Sequence, residues 1–326
     1  EEETPWAFAA GERIAIRFTQ LIERRASRLE NDGKFVDALK VYEYGIAQDG
    51  LVEPFYRGMM RCQIAAGDPA EALKTLQQQV RDKPGDAKLR VFLFQLLCVL
   101  GQWDRAMAQL EICGQLDAGS LPMVNAYREA IKCETLRHAV FAGKNTPVVF
   151  GQPTQWVAML IEALSQEAQG NTAQAQHLRA SAFDQAPATA GSLNGEAFDW
   201  IADADSRLGP VLEVVLNGRY TWVPFEALSA INVEAPEDLR DMVWAPVQLT
   251  FTNGGESVAL VPTCYPGTRE QADGKLKLAR GTEWNEIGAD QFAGLGQRLL
   301  STSSAELGLL EAREIRLSAA KPAETA

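Results

Sequence analysis

A glycine recurs at a fixed interval in the first third of the chain, at Gly33, Gly67 and Gly101, and the residues behind each one repeat as well. Gly33-Lys34-Phe35-Val36-Asp37-Ala38-Leu39 aligns with Gly67-Asp68-Pro69-Ala70-Glu71-Ala72-Leu73 and with Gly101-Gln102-Trp103-Asp104-Arg105-Ala106-Met107. An alanine stands five residues after each glycine, then a large apolar residue, and Tyr42, Leu76 or Leu110 stands nine residues after. A fourth copy begins at Gly170, with Ala175 five residues on; it lies close to two periods beyond Gly101. Pro84 and Pro187 fall at one shared offset, half a period after Gly67 and Gly170.

These offsets describe two antiparallel helices joined by a tight turn. Glycine supplies the positive φ of the turn without a Cβ penalty. The alanine lets the second helix approach the first, the aromatic or leucine one turn on fills the gap between hairpins, and the proline ends the second helix. A period of 34 is that of tetratricopeptide hairpins. One hairpin cannot bury its apolar face alone, so copies stack and leave a concave surface lined by first helices. Counting back from the glycines places Pro54, Arg57, Arg61, Lys88, Val91 and Gln95 on or near that surface. Three of the six are basic in an acidic chain, which suits an acidic or amphipathic-helix ligand; the competing reading is that Arg57, Arg61 and Lys88 only solvate a surface.

After about residue 190 the pattern changes. Gly191 to Asp199 reads as a connection, and Arg219 to Val223 as a strand. Val247 to Phe251 and Ser257 to Val261 flank Thr252-Asn253-Gly254-Gly255-Glu256, a hairpin signal. Gly281 to Trp284 opens another element, whereas Val211 to Leu216 and Ala289 to Leu300 read as helices or helix fragments. The expected fold class is therefore α+β: an N-terminal all-α tetratricopeptide-like solenoid followed by a smaller mixed α/β domain. Its expected parts are residues 1–66 and 67–190 as one continuous helical solenoid, residues 191–318 as the small domain, and residues 319–326 as a disordered tail. Trp200, Trp222, Trp244 and Trp284 are expected mainly as core anchors rather than as a pocket lining.

The formal net charge of −12 argues against a nucleic-acid partner, which would need a dense basic surface. Cys62, Cys98, Cys113, Cys133 and Cys264 are odd in number and form no Cys-x-x-Cys pair, which fits a reducing compartment. The longest apolar run, Val91 to Leu100, is interrupted by Gln95 and too short for a bilayer, and no signal peptide is visible, so a cytoplasmic location without membrane contact is expected. The two histidines, His138 and His177, have no companion at ligand spacing, and phosphate-loop, dinucleotide and nucleophile-elbow motifs are missing. Hence no catalytic residue, metal site or cofactor is expected. The exception to weigh is Trp200 to Pro210, where Asp203, Asp205 and Arg207 form an acid pair beside a base. A divalent ion or acid–base chemistry is one reading, as in a metal-dependent hydrolase. The favoured one is structural: an aspartate caps a helix from Leu208 onward and Arg207 pairs with a carboxylate.

From about Gly67 to Leu317 the chain resembles the ImpE/TagJ accessory proteins of bacterial type VI secretion systems. The resemblance is carried by Asp86 to Leu97, Gly101 to Ala106, Tyr127-Arg128-Glu129-Ala130, Trp200 to Pro210, Asn217 to Tyr220, Trp222 to Phe225, Ala235 to Asp241 and Asn253 to Glu256. It implies a helical-repeat part, an α/β part and no catalytic activity. It further implies binding of the small subunit of the contractile sheath, with a sheath helix as the ligand, and an influence on recruitment of the disassembly ATPase ClpV. The segment 1–66 departs from that family and looks like the helical region of bacterial transcriptional activator domains, through Trp6, Phe18, Gly33, Ala38, Tyr42, Phe55-Tyr56 and Met59. An interaction module of a transcriptional regulator is the alternative that this second resemblance implies.

Overall fold

The structure is a computed structural model that describes residues 5–48, 52–152 and 154–318. The expected tail, residues 319–326, lies outside the described residues. The chain forms two compact units, Glu1–Leu96 and Leu97–Ala326.

The first unit is helical. Helix α1 (Pro5–Asn31) and α2 (Phe35–Gln48) form one hairpin, α3 (Glu53–Ala65) and α4 (Pro69–Asp82) the next, and most of α5 (Ala87–Val99) follows. Gly33 and Gly67 hold φ of +72° and +86°. Each donates to the carbonyl three residues back, while the next residue donates five back, as in Lys34 N to Leu29 O at 2.8 Å. This paired closure satisfies the last carbonyls of the first helix. Ala38 and Ala72 are fully buried, as are Tyr42 and Leu76 one turn later, as their spacing predicts. Ile22, Ala26, Ala38, Tyr42, Phe55 and Cys62 make the core between α1, α2 and α3.

The second unit opens on the last turn of α5 and continues with α6 (Trp103–Leu116), α7 (Leu121–Phe141), α8 (Gln155–Ala168) and α9 (Thr172–Gln185). Gly101 and Gly170 repeat the turn at φ of +69° and +81°, and Ala106 and Ala175 are again fully buried. The copy between them is out of phase. Gly143 (φ +67°) makes the same closure but stands more than a full period beyond Gly101, because α7 is 21 residues long.

Strand β1 (Val148–Val149) lies between α7 and α8, and after α9 come β2 (Gly191–Leu193), β3 (Glu196–Phe198), β4 (Ile201–Asp203), β5 (Val211–Leu216), β6 (Arg219–Pro224), β7 (Leu228–Val233), β8 (Trp244–Phe251) and β9 (Glu256–Pro262). The chain then adds β10 (Thr282–Gly288), β11 (Gln291–Gly296), β12 (Leu299–Thr302), β13 (Glu306–Gly308) and β14 (Glu314–Leu317). Nine of them form one sheet in the order β1-β6-β5-β9-β8-β7-β14-β2-β3. Every pairing in it is antiparallel except β1 with β6. Strand β4 joins β12 and β13 in a second sheet, and β10 pairs with β11. Val223, Ile231, Leu249, Val261, Leu300 and Ile315 share one core. Val211, Val215, Tyr220 and Trp222 turn the other way, into a core with Val140, Trp156 and Leu160 of α7 and α8.

Three expectations are corrected here. Val211 to Leu216 is strand β5, not a helix; all six residues are buried, so apolar residues fall on both faces, broken only by the buried Glu213, and the period-2 signature vanishes. Ala289 to Leu300 is not a helix but contains β11 and the start of β12, and Gly294 is placed so that a Cβ would lie 2.2 Å from the Tyr265 ring. Gly191 to Asp199 is not a plain connection but the β2–β3 hairpin, turned at Asn194 and Gly195 with φ of +50° and +90°. The Thr252 to Glu256 hairpin and the strand at Arg219 form as their sequences predict.

Candidate functional site

The helical surface residues fall into two stripes. Arg57 and Arg61 sit one turn apart on α3, and Lys88, Val91 and Gln95 share a face of α5. Pro54, Arg57, Arg61 and Lys88 are exposed and Val91 is half-buried, whereas Gln95 is only 5% exposed and presents almost nothing to a ligand. Arg61 is tied down: its guanidinium reaches Glu30 at 3.3 Å and Tyr42 Oη at 3.4 Å, while the Tyr42 hydroxyl donates to Glu30 at 2.6 Å. Lys88 stands in the first turn of α5, its amide donating to Asp86 Oδ1 at 2.9 Å.

The polar core of the second unit starts at Glu213, in the middle of β5 and fully buried. A carboxylate there is tolerated only if its oxygens are met by charged or polar donors. Arg137 of α7 forks onto it with Nε and Nη2 at 2.8 and 2.6 Å, and Tyr220 Oη donates at 2.6 Å. Arg298, also fully buried, spans Glu213 and Asp203 with its two terminal nitrogens and gives Nε to Pro262 O at 2.9 Å. Arg137 also donates to Cys264 O and reaches Glu134, which in turn accepts from Trp244 Nε1 at 2.9 Å. Helix α7 is thereby bonded to β5, β8 and the Cys264 segment.

The Trp200 to Pro210 loop hangs from this network. Asp203 Oδ1 accepts the Asp205 amide at 2.9 Å. Asp205 accepts the Arg207 amide at 2.9 Å, the Arg207 guanidinium at 2.6 Å and the Gly294 amide at 2.9 Å. No helix begins at Leu208, so neither aspartate is a helix cap; the chain turns straight into β5. The pairing of Arg207 with a carboxylate is as expected, and of the two aspartates its partner is Asp205. Arg137, Glu213 and Arg298, which come from separate segments, are the members that local sequence reading missed. Among the described residues no cluster of three or more potential ligands is placed to hold a metal ion. Trp222 and Trp244 are fully buried anchors, while Trp200 and Trp284 are 41% and 37% exposed and so depart from the core role expected of them.

The two carboxylates that share Arg298 titrate in opposite directions. Burial pushes Asp203 up to about 7, helped by Asp205 and Glu213 and opposed by Arg298. Burial also acts to raise Glu213, but Arg137 and Arg298 outweigh it and bring the group down to about 2. A raised acid stabilises the fold while neutral: the Asp203 contribution is complete below its ordinary value of 3.8 and is lost as pH rises through about 7. The Glu213 contribution has the opposite sign, present above 4.5 and lost as pH falls toward about 2. The urea midpoint is therefore expected to fall between about pH 4 and pH 7, and Asp203→Asn to flatten that fall. Identical pH profiles for the two proteins in tryptophan-monitored denaturation at fixed ionic strength would contradict this.

Glycine-turned helical hairpins of fixed period joined to a sheet-rich unit define a tetratricopeptide-type repeat protein with an added β domain. A tetratricopeptide-repeat profile matches residues 31–88 and 63–112, and the ImpE protein profile matches residues 195–316. The chain is 52% identical over 252 residues to the type VI secretion system accessory component TagJ of Pseudomonas aeruginosa, an alignment covering 77% of this chain and 88% of that one. The chain belongs to this ImpE/TagJ family. Its fold is shared with the crystal structure of protein VPA1032 from Vibrio parahaemolyticus, at a TM-score of 0.73 and 23% identity over 79% of this chain and 97% of that one. No helix among the described residues is long and apolar enough to cross a membrane.

Proposed function

We infer that the chain is a non-enzymatic, cytoplasmic accessory factor of a type VI secretion system that binds the small subunit of the contractile sheath and acts on ClpV-dependent sheath disassembly. The observation that carries this reading is the 52% identity to a type VI secretion accessory component. Two features of the molecule support it. Arg57 and Lys88 are exposed on helical hairpins of a chain whose net charge is −12, so an acidic or amphipathic helix is the ligand that they suit. The carboxylates that a hydrolase would need are already engaged: Asp203 by Arg298, Asp205 by Arg207 and two backbone amides, Glu213 by two arginines and a tyrosine.

Co-purification of the full chain with sheath subunits and with ClpV tests the reading. Capture of the sheath small subunit is expected, and the Arg57→Glu, Lys88→Glu double variant is expected to weaken it about tenfold and reduce its salt dependence. Retention of neither sheath subunit nor ClpV would overturn the proposal; undiminished capture by the double variant would move the binding surface away from α3 and α5.

A further inference from the structure

The Trp200 to Pro210 loop is more rigidly built than a connection needs to be, and it lines a cleft of about 420 Å³. Trp200, Phe183, Pro187 and Pro210 line it with apolar groups, residues 201–204 contribute β4 and the residue after it, and Glu306 stands on its rim. The indole of Trp200 is 41% exposed, a large apolar surface left in water. The backbone that carries it is nonetheless fixed: Trp200 O accepts from Ser303 N, and the Asp199 amide donates to Ser303 Oγ at 2.8 Å. Behind β4, Arg298 and Asp205 pin the loop, with Asp205 accepting from Gly294 and Ser206 exchanging two bonds with the Phe292 backbone. The Phe183 ring lies where a side chain on Gly209 would begin, 2.3 Å from an added Cβ, and Gly209 has φ of +54°. Such a concavity is formed before any ligand arrives, so binding loses little to ordering.

The chemistry of the cleft restricts its occupant. Its charged lining residues are Asp203 and Glu306, and none is basic. Asp203 faces Arg298, which leaves exposed Glu306 to set the sign of the attraction. Its other polar lining side chains, Ser206 and Ser301, already bond to the Phe292 amide and to Glu306, so few polar groups are left to orient a polar metabolite. The volume holds about one turn of a helix roughly 10–12 Å across, which favours an extended chain. Aromatic and proline walls suit proline or aliphatic side chains, whose extended backbone needs little further ordering.

We propose that this cleft is a second docking site of the chain, for an extended partner segment that places a proline or aliphatic side chain against Trp200 and a neighbouring basic side chain against Glu306. Its charge preference is opposite to that of the α3 and α5 surface, so the two sites are tested separately. The probes are two fluorescein-labelled heptapeptide pools, one alternating arginine with a random aliphatic or proline residue, the other with glutamate in place of arginine. With the full chain, fluorescence anisotropy is expected to show the arginine pool bound at least about tenfold more tightly. Trp200→Ala is expected to weaken that binding about tenfold, and Glu306→Lys to reverse the preference between pools. Equal binding of both pools, or binding that neither substitution changes, overturns the proposal. So does a change of oligomeric state in Trp200→Ala, which would give the cleft to a second copy. Tenfold tighter peptide binding by a chain ending at Ser318 would give it to residues 319–326, and would overturn the proposal as well.

Discussion

Replacing Arg298 with methionine is expected to destabilise the second unit by about 3–5 kcal/mol, the usual consequence of removing one partner from a buried ion pair. Arg298 is fully buried and stands between Asp203 and Glu213, themselves 3% and 0% exposed. Methionine would fill much of the volume but leave Asp203 without its cation and Glu213 with Arg137 and Tyr220 only. It would also strip Pro262 O of a donor and the Tyr265 ring of the guanidinium 5.4 Å above it. Lysine at the same position keeps the charge but cannot span both carboxylates, so Arg298→Lys should recover only part of the loss. Urea denaturation monitored by tryptophan fluorescence gives the answer: a loss under about 1 kcal/mol would mean that the network contributes no more than a surface ion pair.

Gly101→Ala is expected to destabilise the same unit by about 2–4 kcal/mol, well beyond the roughly 1–2 kcal/mol of a left-handed backbone alone. An added Cβ would lie 2.6 Å from Arg269 Cβ, the far end of no flexible chain but its root. Arg269 is held there by its head, which donates to Val99 O at 3.0 Å, to Met242 O at 3.3 Å and to Lys277 O. Displacing it would release the last turn of α5 from the Met242 and Lys277 segments. Gly170→Ala is the internal comparison, because Gly170 has φ of +81° and open space where a Cβ would go. Equal losses at the two positions would show that only the turn conformation matters.

The legibility of the chain follows the range of its interactions. The helical hairpins were readable because glycine, alanine and the large apolar residue act within one hairpin, and all three recur at a fixed period. Gly143 escaped because a long α7 puts it off the period, although it makes the same turn. In the second unit, hairpins with Asn-Gly turns give a local signal, and the one missed at Asn217-Gly218, with φ of +50° and +73°, would have identified β5 as a strand. The ion network was half legible. Asp203, Asp205 and Arg207 stand together in the sequence, but Arg137, Glu213 and Arg298 come from three distant segments and meet only through the fold. Of the four exposed members of the helical stripes, Arg61 is already engaged by Glu30 and Tyr42, a pairing that reaches back to α1 and α2 and leaves no local mark.

Strand β14 lies in the interior of the nine-stranded sheet, between β7 and β2, yet it is the last strand among the described residues. During synthesis β2 and β3 leave the ribosome long before the strand that joins them to β7. Until Ile315 pairs with Leu193 on one side and Ile231 on the other, that part of the sheet has two open edges and an incomplete core. The second unit therefore cannot finish folding gradually as it emerges. Its sheet can close only once β14 is available, and the open edges on either side of that gap are where pairing with another chain would compete.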